Sequence, residues 1–164
     1  MKDRILVENV PSSEKFLSDI ISAMRDFRVI SLCYQGFRHP EPFCFNVRPY
    51  CVKYFKQRWY LLGDSDLGLR IYSLDRFVDM EELEEHFEIP KGFDAEEYFG
   101  NYFGVIIGEE PEDVKIRVVP DQVKYFRTLP LHGSQRETAQ EDGSSVFSYH
   151  IAPTFDFVQE ILSH

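Results

Sequence analysis

A helix leading into a small, mainly β domain, followed by an α+β unit, is the fold class that three features of the 164-residue sequence predict. Aromatic residues are skewed in type, fifteen Phe and nine Tyr against one Trp, and many alternate with polar residues as half-buried strands require. Between residues 28 and 77 short β-branched and aromatic runs are broken by Gly and Pro, which mark turns and strand ends. Apolar residues at helical spacing precede these runs and return toward the C-terminus.

Residues 1–12 show no clear period and read as a lead-in with at most one short strand. Ser12 and Ser13 then precede Glu14, and Phe16, Leu17, Ile20, Ile21, Met24 and Phe27 recur at a spacing that predicts a helix over 13–27. The runs VISLCY (29–34), FCFNVRPYCVKYF (43–55), RWYLLGD (58–64) and LRIYSLDRF (69–77) predict strands of a meander. Closure of that meander into a small barrel is expected, because it removes unpaired edges. The domain is placed at 13–80. An acidic stretch makes 81–111 a solvated connector with a short helix near 95–99. Residues 112–164 then read as strand (114–119), helix (121–128), strand (135–140), a turn at Asp142 and Gly143, strand (145–151) and helix (155–162). This βαββα order is that of a ferredoxin-like unit without its last strand, so the chain is expected to stop short of a natural end.

The composition, 43% hydrophobic and 28% charged, is that of a folded globular chain. No apolar run reaches about 18 residues and no signal-peptide pattern opens the sequence, so a cytoplasmic location without membrane contact is expected. Cys33, Cys44 and Cys51 lie in apolar strand-like runs without metal-ligand spacing and are expected to be buried free thiols. The five histidines (His39, His86, His132, His150, His164) are scattered, there is no Gly-rich phosphate loop, and Glu81, Glu82, Glu84, Glu85 and Glu88 read as a solvated face or strand edge. No catalysis, metal or cofactor is expected. The net charge of −10 argues against a polyanionic partner, but it is uneven: residues 25–76 hold nine Lys/Arg against five acids, a local +4, and the remainder carries −14.

The densest segments are Arg58-Trp59-Tyr60-Leu61 and Arg70-Ile71-Tyr72-Ser73-Leu74-Asp75-Arg76, with Pro49-Tyr50 before them. Together with Ile20, Ala23 and Arg28 on the helix and Tyr34 closing the first strand, this ordered set resembles the WYL domain family, whose name-giving tripeptide stands at 59–61. The resemblance covers 14–80, and the βαββα tail is similar to the extension that often follows the domain. It implies an Sm-like or SH3-like barrel used as a sensory domain in bacterial transcription regulators, some of them switched by single-stranded DNA or nucleotide-like ligands. Family members commonly read DNA through an amino-terminal winged helix-turn-helix. Nothing before residue 13 is long enough for one, so any DNA contact is expected through a domain that this sequence lacks.

The same residues suggest a site. Along a regular strand Arg70, Tyr72, Leu74 and Arg76 share a face, and arginine's planar fork of donors matches phosphate bidentately while Tyr50 or Tyr60 is able to stack on a base. Arg48, Arg70 and Arg76 are expected to converge on ligand phosphates, with Tyr60 or Tyr72 shaping the site and a nucleic-acid-like anion as the partner. The alternative for Arg48 is a structural pairing with Asp64 or Asp75. Trp59 and Leu61 read as core, and Lys53, Lys56 and Arg58 as solvated charges beside a turn. Two further readings are an assembly module, dimerising through strand edges or through Phe99, Tyr102 and Phe103, and an accessory domain of a nucleic-acid enzyme.

Overall fold

The computed structural model describes residues 14–164, in two compact units that divide between Phe93 and Asp94. The expected lead-in over 1–12, and Ser12 and Ser13 at the helix start, lie outside the described residues.

In the first unit, α1 (Glu14–Arg25) buries Phe16, Ile20 and Ala23, one stripe at i, i+4 and i+7, with Leu17 and Met24 flanking it. The helix ends two residues before the expected 27. Phe27 adopts φ 51°, a left-handed conformation that interrupts the helix, and its carbonyl accepts from Phe87 N–H at 2.9 Å. Ile21 and Phe27, apolar positions of the same spacing, are exposed.

Five strands follow: β1 (Arg28–Tyr34), β2 (Phe43–Phe55), β3 (Arg58–Ser65), β4 (Gly68–Ser73) and β5 (Phe77–His86). Their hydrogen-bonded order is β4-β3-β2-β1-β5, antiparallel where pairing is defined. The first half of the thirteen-residue β2 pairs with β1 and its second half with β3, with a bulge between Pro49 and Cys51 that bends the strand. Lys56 and Gln57, both at positive φ, make the two-residue turn into β3. The two ends of the sheet, β4 and β5, are joined by a single 3-10 turn, Leu74–Arg76, which brings the end of β4 close to the start of β5. Ile30, Leu32, Val47, Leu61, Tyr72, Leu74 and Phe77 fill its inner face beneath α1.

Two expectations are corrected here, and a third is resolved. The run 69–77 is not one strand: β4 stops at Ser73, and the 3-10 turn takes Arg76 off the row that carries Arg70. The acidic residues from 81 to 86 take the strand-edge reading: they form the second half of β5, paired with β1 at Ser31↔Glu81 and Ile30↔Glu82. An edge strand tolerates such charges because one of its sides faces water. The cysteines are not three buried thiols either. Cys33 and Cys44, directly opposite each other on β1 and β2 with Cα atoms 4.0 Å apart, form a disulfide, and Cys51 alone is free.

The second unit opens with α2 (Ala95–Phe99), capped by Asp94, whose carboxylate accepts from Glu96 N–H and Glu97 N–H. Then come β6 (Glu112–Val118), α3 (Pro120–Thr128), β7 (Arg136–Ala139), β8 (Ser145–Ile151) and α4 (Phe155–Leu162). β8 lies between β6 and β7, antiparallel to both, which is the arrangement of the first five elements of a ferredoxin-like unit. Phe147, Tyr149 and Ile151 point from β8 into a core shared with Val118, Val123, Phe126 and Phe157. Phe103, read as a candidate interface residue, packs against that core, 6.2 Å from the Phe157 ring centroid.

Across this sheet Arg127 holds Glu137 in a fork of bonds of 2.6–3.0 Å, and Ser145 Oγ donates to the same carboxylate. These bonds, the arginine's first, hold the Glu137 carboxyl at about 2. Because the folded value lies below the ordinary one near 4.5, the stabilisation is complete above pH 4.5 and is lost as pH falls toward 2. Glu137→Gln is therefore expected to flatten the melting temperature of the chain across that acid window, relative to wild type, while leaving its slope near neutrality unchanged.

Candidate ligand-binding site

The loop 35–42, which joins β1 to β2, and the turn between β3 and β4 frame an open hollow of about 450 Å³ lined by His39, Pro40, Glu41, Phe43 and Leu67. Local sequence explains the loop's shape. Gln35 N–H donates to the Arg76 carbonyl at 3.0 Å, which anchors the loop root to the 3-10 turn, and Gln35 Nε2 donates to the His39 carbonyl across the bend. The chain then bends at Pro40 and Glu41 before β2 begins at Phe43.

Aromatic rings run from this hollow into the core. His39 meets Phe43 edge-on at 5.2 Å, Phe43 stacks on Phe45 at 5.0 Å, Phe45 touches Tyr72 at 5.5 Å, and Tyr72 meets Tyr34 at 5.4 Å. The outer members are wet: Phe43 is 38% exposed and Phe37, on the same loop, 88%. A large apolar ring that exposed costs hydration free energy unless something covers it.

The five residues singled out from sequence fall in different places. Arg70 projects beside the hollow, its Nε donating to the carbonyl of the wall residue Leu67 at 3.2 Å. Arg76 lies over the Phe37 ring, 3.0 Å from guanidinium carbon to centroid. Among the described residues neither has a carboxylate partner. Arg48 does not join them. Its guanidinium pairs with Asp64 at 3.0 Å, the first of the two partners weighed from sequence. Arg48, Asp64 and Leu69 are direct cross-strand partners on one face of the sheet, whereas Arg70, opposite Gly63, points to the other. The convergence of three arginines is thus not found: Arg70 touches the wall residue Leu67 and Arg76 the loop residue Phe37, and neither lines the hollow itself.

Tyr72 is 5% exposed and shares a bond of 3.3 Å with Ser65; burial, above all, pushes its phenol up. It is a floor to the aromatic column, not a surface for a ligand. Tyr60 is half-buried and sits opposite Lys53 and Ser73 on the outer face, away from the hollow. Tyr50, weighed as a stacking ring, is occupied by Phe87 and Phe93 at 6.0 and 5.0 Å. Sequence reasoning missed Phe37, His39 and Phe43. Their signal was three aromatic side chains in QGFRHPEPF, a segment otherwise composed for a turn.

Histidines elsewhere have structural partners. His132 Nε2 bonds the Gly100 carbonyl at 2.8 Å and its Nδ1 meets Ser134 Oγ at 2.7 Å, while His150 pairs with Asp113 at 2.9 Å. Among the described residues no three His, Cys, Asp or Glu side chains are grouped to hold a metal ion, and no helix is long and apolar enough to cross a membrane.

A family model described as the WYL domain matches residues 15–82. Solved structures similar in fold include proteasome accessory factor B/C (PafBC) of Arthrobacter aurescens, at 17% identity and a TM-score of 0.45, covering 88% of this chain and 22% of that one. A second is a CRISPR Cas-related protein at 17% identity and a TM-score of 0.46, covering 84% of this chain and 41% of the other. The chain therefore spans less than half the length of either. No curated protein matches it.

Proposed function

Since residues 15–82 are a WYL domain, we propose that this chain is a non-catalytic, ligand-sensing regulatory module, and that its ligand is a short single strand or nucleotide bearing both phosphate and a planar base. The observation that carries the reading is the hollow with exposed rings in the segments that frame it and, against Leu67 and Phe37 of those segments, two arginines without carboxylate partners among the described residues. A base is accepted by stacking on Phe43 and His39, since every base has a π-face. Phosphate is accepted by the forks of Arg70 and Arg76. Glu41 on the hollow's wall opposes excess negative charge there, which favours a ligand with few phosphates over a long polyanion. Among the described residues α1 is the one α-helix of this unit and packs its apolar stripe into the core, which favours a single strand over duplex DNA.

Titration with a short oligothymidylate at two salt concentrations tests this. Binding should weaken as salt rises, because phosphate contacts release counterions. Arg70→Ala and Arg76→Ala should each weaken binding by about tenfold, and Phe43→Ala by a similar factor through lost stacking. Arg48→Ala, already matched to Asp64 on the opposite face, should change it by less than about twofold. Equal losses for Arg48 and Arg70 variants would remove the hollow as the site.

Self-association is a second reading, favoured by Phe155, Val158 and Leu162, which line an exposed apolar row at i, i+3 and i+7 on α4. Sedimentation of the chain distinguishes a homodimer from a monomer, and Leu162→Glu should dissociate such a dimer.

A further inference from the structure

We propose that the Cys33–Cys44 disulfide is a redox-controlled clasp on the loop 35–42, and thereby a control on the hollow; the second clause rests on the ligand reading above. The two cysteines are direct partners in the β1–β2 register with Cα atoms 4.0 Å apart, so strand pairing itself keeps the two sulfurs facing each other whether or not they are bonded. They are accessible: Cys44 is exposed and Cys33 partly so. Cys51 differs, since burial pushes its thiol up and disfavours the reactive thiolate, with Lys53 only partly offsetting this.

What the bond constrains follows from its position. β1 is held by ladders to β2 on one side and β5 on the other, so strand pairing does not depend on the disulfide. Only the pair Tyr34↔Phe43 lies between the bond and the loop. Beyond that pair the backbone bonds of the loop are few, from Gln35 N–H to the Arg76 carbonyl and from His39 N–H to the Gly36 carbonyl. A closed ring at the mouth of so sparsely bonded a segment narrows the conformations open to it, and an open one widens them. That segment carries Phe37 and His39 and ends at Phe43, the rings of the candidate site, and Phe37 holds the Arg76 guanidinium.

The chemistry is thiol–disulfide exchange with a low-molecular-weight disulfide such as oxidised glutathione. The Cys44 thiolate attacks one sulfur of the small disulfide and expels one small thiol, leaving a mixed disulfide on Cys44. The Cys33 thiolate then attacks Cys44 Sγ, forming the protein disulfide and expelling the second small thiol. Two electrons pass to the small disulfide and the two protons of the protein thiols end on the products. A small dithiol reverses both steps.

The full chain carrying Cys51→Ser makes the thiol count unambiguous. After oxidised glutathione, Cys33 and Cys44 should resist alkylation, and after dithiothreitol both should be alkylated. Amide exchange in 35–42 should be about tenfold faster in the reduced form, with the exchange of β1 and β5 unchanged. Cys33→Ser with Cys44→Ser should show the faster exchange under both conditions. Alkylation of both cysteines after oxidant, or identical exchange of 35–42 in the two forms, would overturn the clasp. Oligothymidylate affinity, expected to be about threefold higher in the oxidised form because less ordering remains to be done on binding, separates the linked claims. Equal affinity in both forms overturns the control of the hollow. Absence of binding in both overturns the ligand reading, while the exchange comparison still decides the clasp.

Discussion

Phe147→Ala is expected to destabilise the second unit by about 3–5 kcal/mol, the range for truncating a fully buried phenylalanine. The ring is fully buried at the centre of β8, the strand that pairs on both sides, with the Phe126 ring 5.3 Å away. Its neighbours are fixed by two ladders and by α3, so they have little freedom to close the void. Amide exchange over 94–164 reads this unit directly, without requiring the chain to unfold in one step. A loss below about 1 kcal/mol would mean that the site collapses around the smaller side chain, contrary to the packing described.

Gly63→Ala is expected to cost about 1–3 kcal/mol in the first unit by overpacking. Gly63 lies in β3 between Pro49 and Arg70, and a Cβ there would fall well inside van der Waals contact of Val47 Cγ1 and 3.3 Å from the Arg48 carbonyl oxygen. Neither is a flexible tip that swings aside. Val47 is buried against Ile30, and the Arg48 carbonyl belongs to the backbone of β2. The response must therefore come from the β2–β3 pairing, and oligothymidylate affinity should fall with stability because Arg70 sits directly across from Gly63. Urea unfolding of the first unit checks the first effect and titration the second. An unchanged unfolding midpoint would show that the two strands separate at this point without penalty.

Much of the architecture is legible in the sequence. The stripe Phe16, Ile20, Ala23 has one period, the turn at 56–57 falls where two strand patterns meet, and Pro120 opens α3 at the position where a missing N–H costs little. What is not legible depends on partners distant in the chain. LRIYSLDRF alternates without interruption, and only the need to step from one sheet edge to the other ends β4 at Ser73. The acidic half of β5 lacks a strand's usual composition because its order comes from the β1 ladder and not from its own side chains. Cys33 and Cys44 become partners only through the β1–β2 register, which an eight-residue loop does not determine. The same holds for the site. Arg48 and Arg70 look equivalent along the chain, and the register alone sends one toward Asp64 and the other toward the hollow.

The bond from Gln35 N–H to the Arg76 carbonyl makes one joint serve two ends of the sheet. The residue after that joint, Phe77, begins β5, ten residues in an extended run of about 33 Å. That run is laddered to β1 from Tyr34↔Phe77 to Arg28↔His86, so loosening the joint frees the root of the loop and the first residue of β5 together while the rest of the strand stays paired.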